Sequence, residues 1–186
     1  MPPSDETPPA PIAEAPIRVE VGDPRSFLTP SERSELEALA AGVLEAEGIA
    51  RAEVSIALVD DASIHAVNRR HLDHDEPTDV ISFVLSDEGD ELAGELVISV
   101  ETARRVASAE GGDPATELAL YAVHGLLHLC GYDDRTGPEA AAMRLREGFH
   151  LGRSGLSHPF SPPPADPGPT LTGALPPASE RSPWPR

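Results

Sequence analysis

The chain has 186 residues, 32 of them acidic and 14 basic, for a formal net charge of −18. Every basic residue is Arg, Cys130 is the single cysteine, and 21 residues are Pro. These counts exclude lysine Schiff-base chemistry, a Walker-type phosphate loop with its Lys, an internal disulfide framework and a Cys-rich zinc site; the lone Cys points to a reducing, cytoplasmic compartment.

Six of the prolines fall in residues 1–16 and ten in 152–186. Both ends are poor in large apolar residues, so they cannot offset the entropy of ordering and are expected to be disordered extensions. The opening MPPSDETPPAPIAEAP has neither the basic nor the apolar region of a signal peptide. No apolar run approaches the roughly 18 residues of a membrane span, so no membrane partner is expected. Residues 17–151 then form one domain with one core.

Within it, Ile17, Val19 and Val21 alternate with polar residues as a half-buried strand does. Thr29-Pro30-Ser31-Glu32 is a capping box with Pro in the first turn, and opens a helix with Leu36, Leu39, Val43 and Leu44 on one face. Gly48 ends it. Val54, Ile56 and Leu58 make a second strand, and a short helix runs from about Asp61 to His71. Val80, Ile81, Phe83 and Val84 read as a near-continuously apolar third strand, expected at the sheet centre, and Leu96-Val97-Ile98 as a fourth. A helix over 100–109 ends at Gly111-Gly112. Asp113 and Pro114 then open the strongest helix, 115–130, stopped by Gly131, and a last helix spans about Pro138 to Phe149. This alternation predicts an α+β layer fold. The helix between strands one and two favours a parallel pair, and the short connection between strands three and four an antiparallel one, giving a mixed sheet.

The chemistry concentrates in His124-Gly-Leu-Leu-His128-Leu-Cys-Gly131-Tyr-Asp-Asp134. Residues four apart on a helix lie about 40° apart around its axis, so His124 and His128 share a face and can bind one cation. Gly131 then reverses the chain, which can bring Tyr132-Asp133-Asp134 back to supply a third ligand. Two His and a carboxylate leave a position for water, as catalytic metal sites do. The competing reading is a pair of satisfied core or interface histidines. Gly125 replaces the Glu of an HExxH motif, so a thermolysin-like peptidase is disfavoured. Cys130, about 200° around the helix from His128, reads as core packing.

A second segment, Asn68 to Phe83, runs through an acidic loop into Pro-Thr-Asp and the third strand. Asp73, His74, Asp75 and Glu76 are ligand candidates whose plainer reading is a solvated loop. His65 and His71 read as surface or boundary residues of their helix, and His150 and His158 lie where order is expected to fade. Arg69-Arg70, Arg104-Arg105 and Arg144/Arg146 are small basic spots, read first as surface ion pairs and second as phosphate contacts.

Together, PTDVISF at 77–83, Gly94-Glu95 before the fourth strand and HGLLHLCGYDD at 124–134 resemble the YbeY family of metal-dependent endoribonucleases and ribosomal RNA maturation factors, over residues 17–150. The resemblance implies a mixed four-stranded sheet packed with about five helices, a zincin-like metal helix, and one Zn2+ per chain. His124 and His128 take the places of the first two ligands. Asp134 stands where the family usually has a third His, and a carboxylate there keeps a plausible site, harder and more negative by one charge. Asp133 becomes the general-base candidate, with an exchange of roles with Asp134 as the alternative. Leu72 stands where the family commonly has an Arg, five residues before the Pro of the motif, and Arg69 or Arg70 are the substitutes. Arg69, Arg70, Thr78 and Ser82 are the implied substrate contacts.

The implied activity is metal-assisted hydrolysis of single-stranded RNA, in small-subunit ribosomal RNA maturation and ribosome quality control. The implied partners are that RNA and the small ribosomal subunit or its assembly factors. A ribosome assembly factor with a structural metal and little turnover is the second reading, favoured by Leu72 and by the charge of −18. An Fe(II) oxygenase site is a distant third.

Overall fold

The structure is a computed structural model that describes residues 17–72, 78–86 and 91–158, with backbone alone at 71 and 72. Residues 1–16, the tail from 159 onward and the loop candidates Asp73, His74, Asp75 and Glu76 lie outside the described residues. Along the chain come β1 (Ile17–Gly22), α1 (Pro30–Ala46), β2 (Arg51–Val59), α2 (Asp61–Leu72), β3 (Val80–Ser86), β4 (Glu91–Ser99), α3 (Val100–Glu110), α4 (Pro114–Leu129) and α5 (Gly137–Arg153). Local chemistry sets the helix ends. Thr29 and Glu32 close a capping box on α1, Asp113 accepts the Thr116 N–H at the start of α4, and Thr136 with Glu139 closes a second box on α5.

The strands form one sheet in the order β1-β2-β4-β3, parallel for β1/β2 and β2/β4 and antiparallel for β3/β4. The mixed α+β architecture is therefore as expected, but β3 is an edge strand rather than a central one. Its apolar run reflects cover on both faces near its start: Val80 packs toward α4, while Ile81 and Phe83 join Ile64, Val67 and Val97 under α2. Beyond Phe83 that cover ends, and Val84 and exposed Leu85 sit at a register shift against β4.

Alternation decides which face is buried. Val19, Val54, Gly94 and Val84 stand in line across the sheet, as do Val21, Ile56, Leu96 and Ser82. This face meets α1 and α4, and α3 and α5 flank α4. Helix α4 is consequently buried nearly all round, from Leu118 to Leu129. Full burial of a side chain such as Leu126 or Leu127 contributes about 1.5–3 kcal/mol. Gly125 marks a close approach of α4 to the sheet: a Cβ there would lie 2.9 Å from Leu96 Cδ2, 3.0 Å from Ser82 Oγ and 3.1 Å from Val80 Cγ2. His124 and His128, only partly buried, occupy the stripe where packing around α4 opens.

The ordered chain continues past residue 151, the expected end of the domain. Helix α5 runs to Arg153, and His158 is buried. Arg146, expected on the surface, is also buried. No helix among the described residues is long and apolar enough to cross a membrane.

Candidate metal centre

The turn after α4 builds the site. Cys130 caps the helix, Gly131 takes φ +93°, its N–H donates to the His128 carbonyl (2.9 Å), and the Tyr132 N–H donates to the Leu127 carbonyl (3.0 Å). This is a Schellman turn, and the left-handed residue favours glycine. It folds residues 132–134 back along the last turn of α4. His124, His128 and Asp134 then present ligand atoms within 4.8 Å of one another and could hold a metal ion.

The geometry fits a cation better than a pair of merely packed histidines. The two Nε2 atoms are 3.0 Å apart, and Asp134 Oδ2 lies 3.9 Å from His124 Nε2. Donors at 2.0–2.1 Å from a tetrahedral zinc are separated by about 3.3 Å, so small side-chain adjustments suffice. Each Nδ1 is meanwhile tied down from behind. His124 Nδ1–H donates to Glu147 Oε1 (2.7 Å), and His128 Nδ1–H donates to the Tyr132 carbonyl (3.0 Å). Because carboxylate and carbonyl only accept, those bonds fix the tautomers and turn both Nε2 lone pairs toward a common point. Asp134 is 46% exposed and His124 25%, so the centre is open to solvent on one side.

Electrostatics separate the two imidazoles. Burial alone would drive His124 toward its neutral form, but the hydrogen bond and charge of Glu147, with Asp79 and Asp134 nearby, more than offset it and raise its pKa above the ordinary histidine value. Burial, then the charge of His124, lowers that of His128. Glu147 is held well below the usual carboxylate range: its burial is outweighed by the hydrogen bonds and charges of His124 and His158. The site is thus a carboxylate-rich pocket, suited to a divalent cation.

The other expected site residues are distributed differently. Asp133 lies in the same turn, but both its oxygens are engaged: Oδ1 accepts the Asp134 N–H (2.8 Å) and Oδ2 pairs with Arg135 (3.0 Å). Arg69 and Arg70 are exposed at the end of α2. The Thr78 hydroxyl donates to Asp79 Oδ1 (3.0 Å). Ser82 is buried between sheet and helix, its hydroxyl donating to the Gly125 carbonyl (3.2 Å). Cys130 is fully buried, as expected of a core residue.

Sequence reasoning missed Glu147 and gave His150 and His158 no part. Glu147 reaches His124 across 23 residues and His158 reaches Glu147 across 11. His150 joins Arg146 and Tyr132 in binding buried Glu47: His150 Nε2 donates to Oε1 (2.6 Å) and the Tyr132 hydroxyl to Oε2 (2.9 Å). That cluster fastens the Tyr132 turn to α1 and α5. The one sequence signal for it is the density of polar residues, Arg146, Glu147 and His150, within an otherwise amphipathic helix.

Comparison with known proteins places the chain in a family. A family model described as Endoribonuclease YbeY matches residues 27–155. The chain is 44% identical over 131 residues to the Endoribonuclease YbeY of Rhodopirellula baltica, covering 69% of this chain and 68% of that protein. It is 47% identical over 123 residues to that of Moorella thermoacetica (60% and 79% covered), and 36% identical over 153 residues to that of Geobacillus kaustophilus (76% and 98%). The solution structure of TM1509 from Thermotoga maritima shares the fold, with a TM-score of 0.52 at 22% identity, over 78% of this chain and 99% of that one. With the family match running from before α1 to the end of α5, through both histidines and the turn that carries Asp134, this chain belongs to the Endoribonuclease YbeY family.

Proposed function

We propose that the protein is a zinc-dependent endoribonuclease specific for single-stranded RNA, acting in small-subunit ribosomal RNA maturation and ribosome quality control, with one Zn2+ held by His124, His128 and Asp134. Family membership supports the reaction class. The observation that carries the site is the convergence of two Nε2 atoms 3.0 Å apart, backed by Glu147 and the Tyr132 carbonyl and opening to solvent beside Asp134. Zinc, when bound, supplies Lewis acidity, activating water near neutral pH and polarising a phosphoryl oxygen. The chain's own residues orient and neutralise. Glu147 and Tyr132 hold the two rings, and Asp133, locked onto Arg135 and the Asp134 N–H, shapes the turn, leaving Asp134 as the third ligand. Arg69, Arg70 and Thr78 are the substrate contacts of this reading, with a guanidinium offsetting charge on the transferring phosphoryl group. Ser82 supports α4 from beneath.

The test is to purify the protein without chelators, quantify its metal, and compare cleavage of single- and double-stranded RNA by wild type, His124→Ala and His128→Ala. One zinc per chain and single-strand cleavage lost in both variants is the expected result. Stoichiometric zinc without metal-dependent cleavage would sink the nuclease reading. It would leave a metal-stabilised ribosome assembly factor, which the 27 acidic residues against 11 Arg in 17–151 and the presence of Leu72 favour.

A further inference from the structure

The segment after α5 adds a contact that lies beyond the family match. Ser154 caps the helix and Gly155 takes φ +74°; the Gly155 N–H donates to the Gly152 carbonyl (3.1 Å) and the Leu156 N–H to the Leu151 carbonyl (2.9 Å). This second Schellman turn sends the chain back along α5, with Leu156 packed against the core. His158 thereby arrives at Glu147, 11 residues earlier and within the last two turns of α5, and donates from Nε2 to Oε2 (3.1 Å) with its side chain 2% exposed. The family match ends at residue 155.

We infer that His158 is a positioning residue for the metal centre, acting through Glu147. A carboxylate torsion is soft and roughly two-fold, so a glutamate held at one oxygen can rotate away or admit water. Here each oxygen has its own imidazole: Oε2 takes His158, which leaves Oε1 aimed at His124 Nδ1. His124 is then fixed with its proton on Nδ1 and its Nε2 presented to the cation. Groups that orient a ligand in this way typically change metal affinity by about 10–100-fold when removed. The inference rests on the metal reading above, and concerns residues that no local motif connects.

Zinc affinity, measured by competition with a fluorescent chelator, and the nitrogen-15 resonance of His124 Nδ1, recorded on the metal-free full chain, test it together. His158→Ala is expected to weaken zinc binding by about tenfold, while His158→Gln, which keeps a nitrogen donor, restores much of it. In a Glu147→Gln background, His158→Ala should cost nothing further. The His124 Nδ1 proton should exchange faster in His158→Ala than in wild type. Unchanged zinc affinity in His158→Ala, or an equal loss in both backgrounds, overturns the inference. If wild type binds no zinc, the metal reading fails instead, and the His124 resonance alone decides whether His158 positions the ring.

Discussion

Gly125 stands where a thermolysin-type helix carries its glutamate, and its surroundings show why no acid can serve there. A Cβ already meets Leu96, Ser82 and Val80 at 2.9–3.1 Å, so a longer side chain would be driven into the sheet. Gly125→Glu is therefore expected to cost more than about 3 kcal/mol through overpacking and a buried charge, and not to create a protease base. Urea denaturation of the variant checks this, and a stable, soluble Gly125→Glu protein would contradict the packing argument. Glu47 offers a residue-scale test of a different kind. Burial would raise its pKa, but hydrogen bonds from His150, Arg146 and Tyr132 and the Arg146 charge win, so the folded value lies below the unfolded one. The stabilisation is then present above the unfolded glutamate pKa of about 4.3 and is lost as pH falls through the lower folded value. Glu47→Gln should be about 3–5 kcal/mol less stable near pH 7, since it removes the carboxylate charge that faces buried Arg146. Because the ionised pair is what acid removes, its deficit should shrink below about pH 4. Denaturation midpoints at pH 7, 5 and 3 for both proteins would show a constant gap if the ionised pair were not the cause.

At the scale of elements, the site depends on how α4 ends. Gly131 at φ +93° sends Tyr132 and Asp134 back toward the histidines, so Gly131→Ala should lose roughly 1–2 kcal/mol of stability. It should also weaken metal binding, because it moves both the Tyr132 carbonyl and Asp134; unchanged metal affinity would mean that the turn does not set the site. This part of the molecule was legible in the sequence, since caps, helical spacing and a glycine stop are local signals: Thr29, Asp113, Gly131 and the pair His124/His128 all act within a few residues of themselves. Contacts between elements were not legible. The apolar run of β3 looks the same whether a strand is central or is an edge strand covered on both faces by α2 and α4. Glu147 and His158 carry no spacing rule that connects them to His124, because the connection runs through the packing of α5 against α4. Arg146 likewise reads as a surface cation until Glu47, 99 residues away, is brought against it.

Across the whole molecule, the acidity belongs to the folded part: residues 17–151 hold 27 acidic residues and 11 Arg. Several of those Arg are already engaged, Arg146 with Glu47, Arg25 with Asp60 (2.6 Å) and Arg135 with Asp133 (3.0 Å). In the proposed function, an RNA strand is held by few phosphate contacts and a local cation rather than by a broad basic surface. That arrangement has a measurable signature. Each phosphate neutralised on a single strand contributes about −0.7 to the slope of log affinity against log salt. With contacts confined to Arg69, Arg70 and the metal centre, the slope should be no steeper than about −2. Replacing both arginines by Gln should flatten it by about 1.4 and weaken different sequences alike. Fluorescence anisotropy with a short single-stranded RNA over a salt series reads both quantities. A slope near −5 would require about seven phosphate contacts, and would mean that arginines of the folded part beyond Arg69 and Arg70 also hold the strand. A slope near zero that Arg69→Gln and Arg70→Gln leave unchanged would remove these two arginines from the substrate path and place its hold on the metal centre alone.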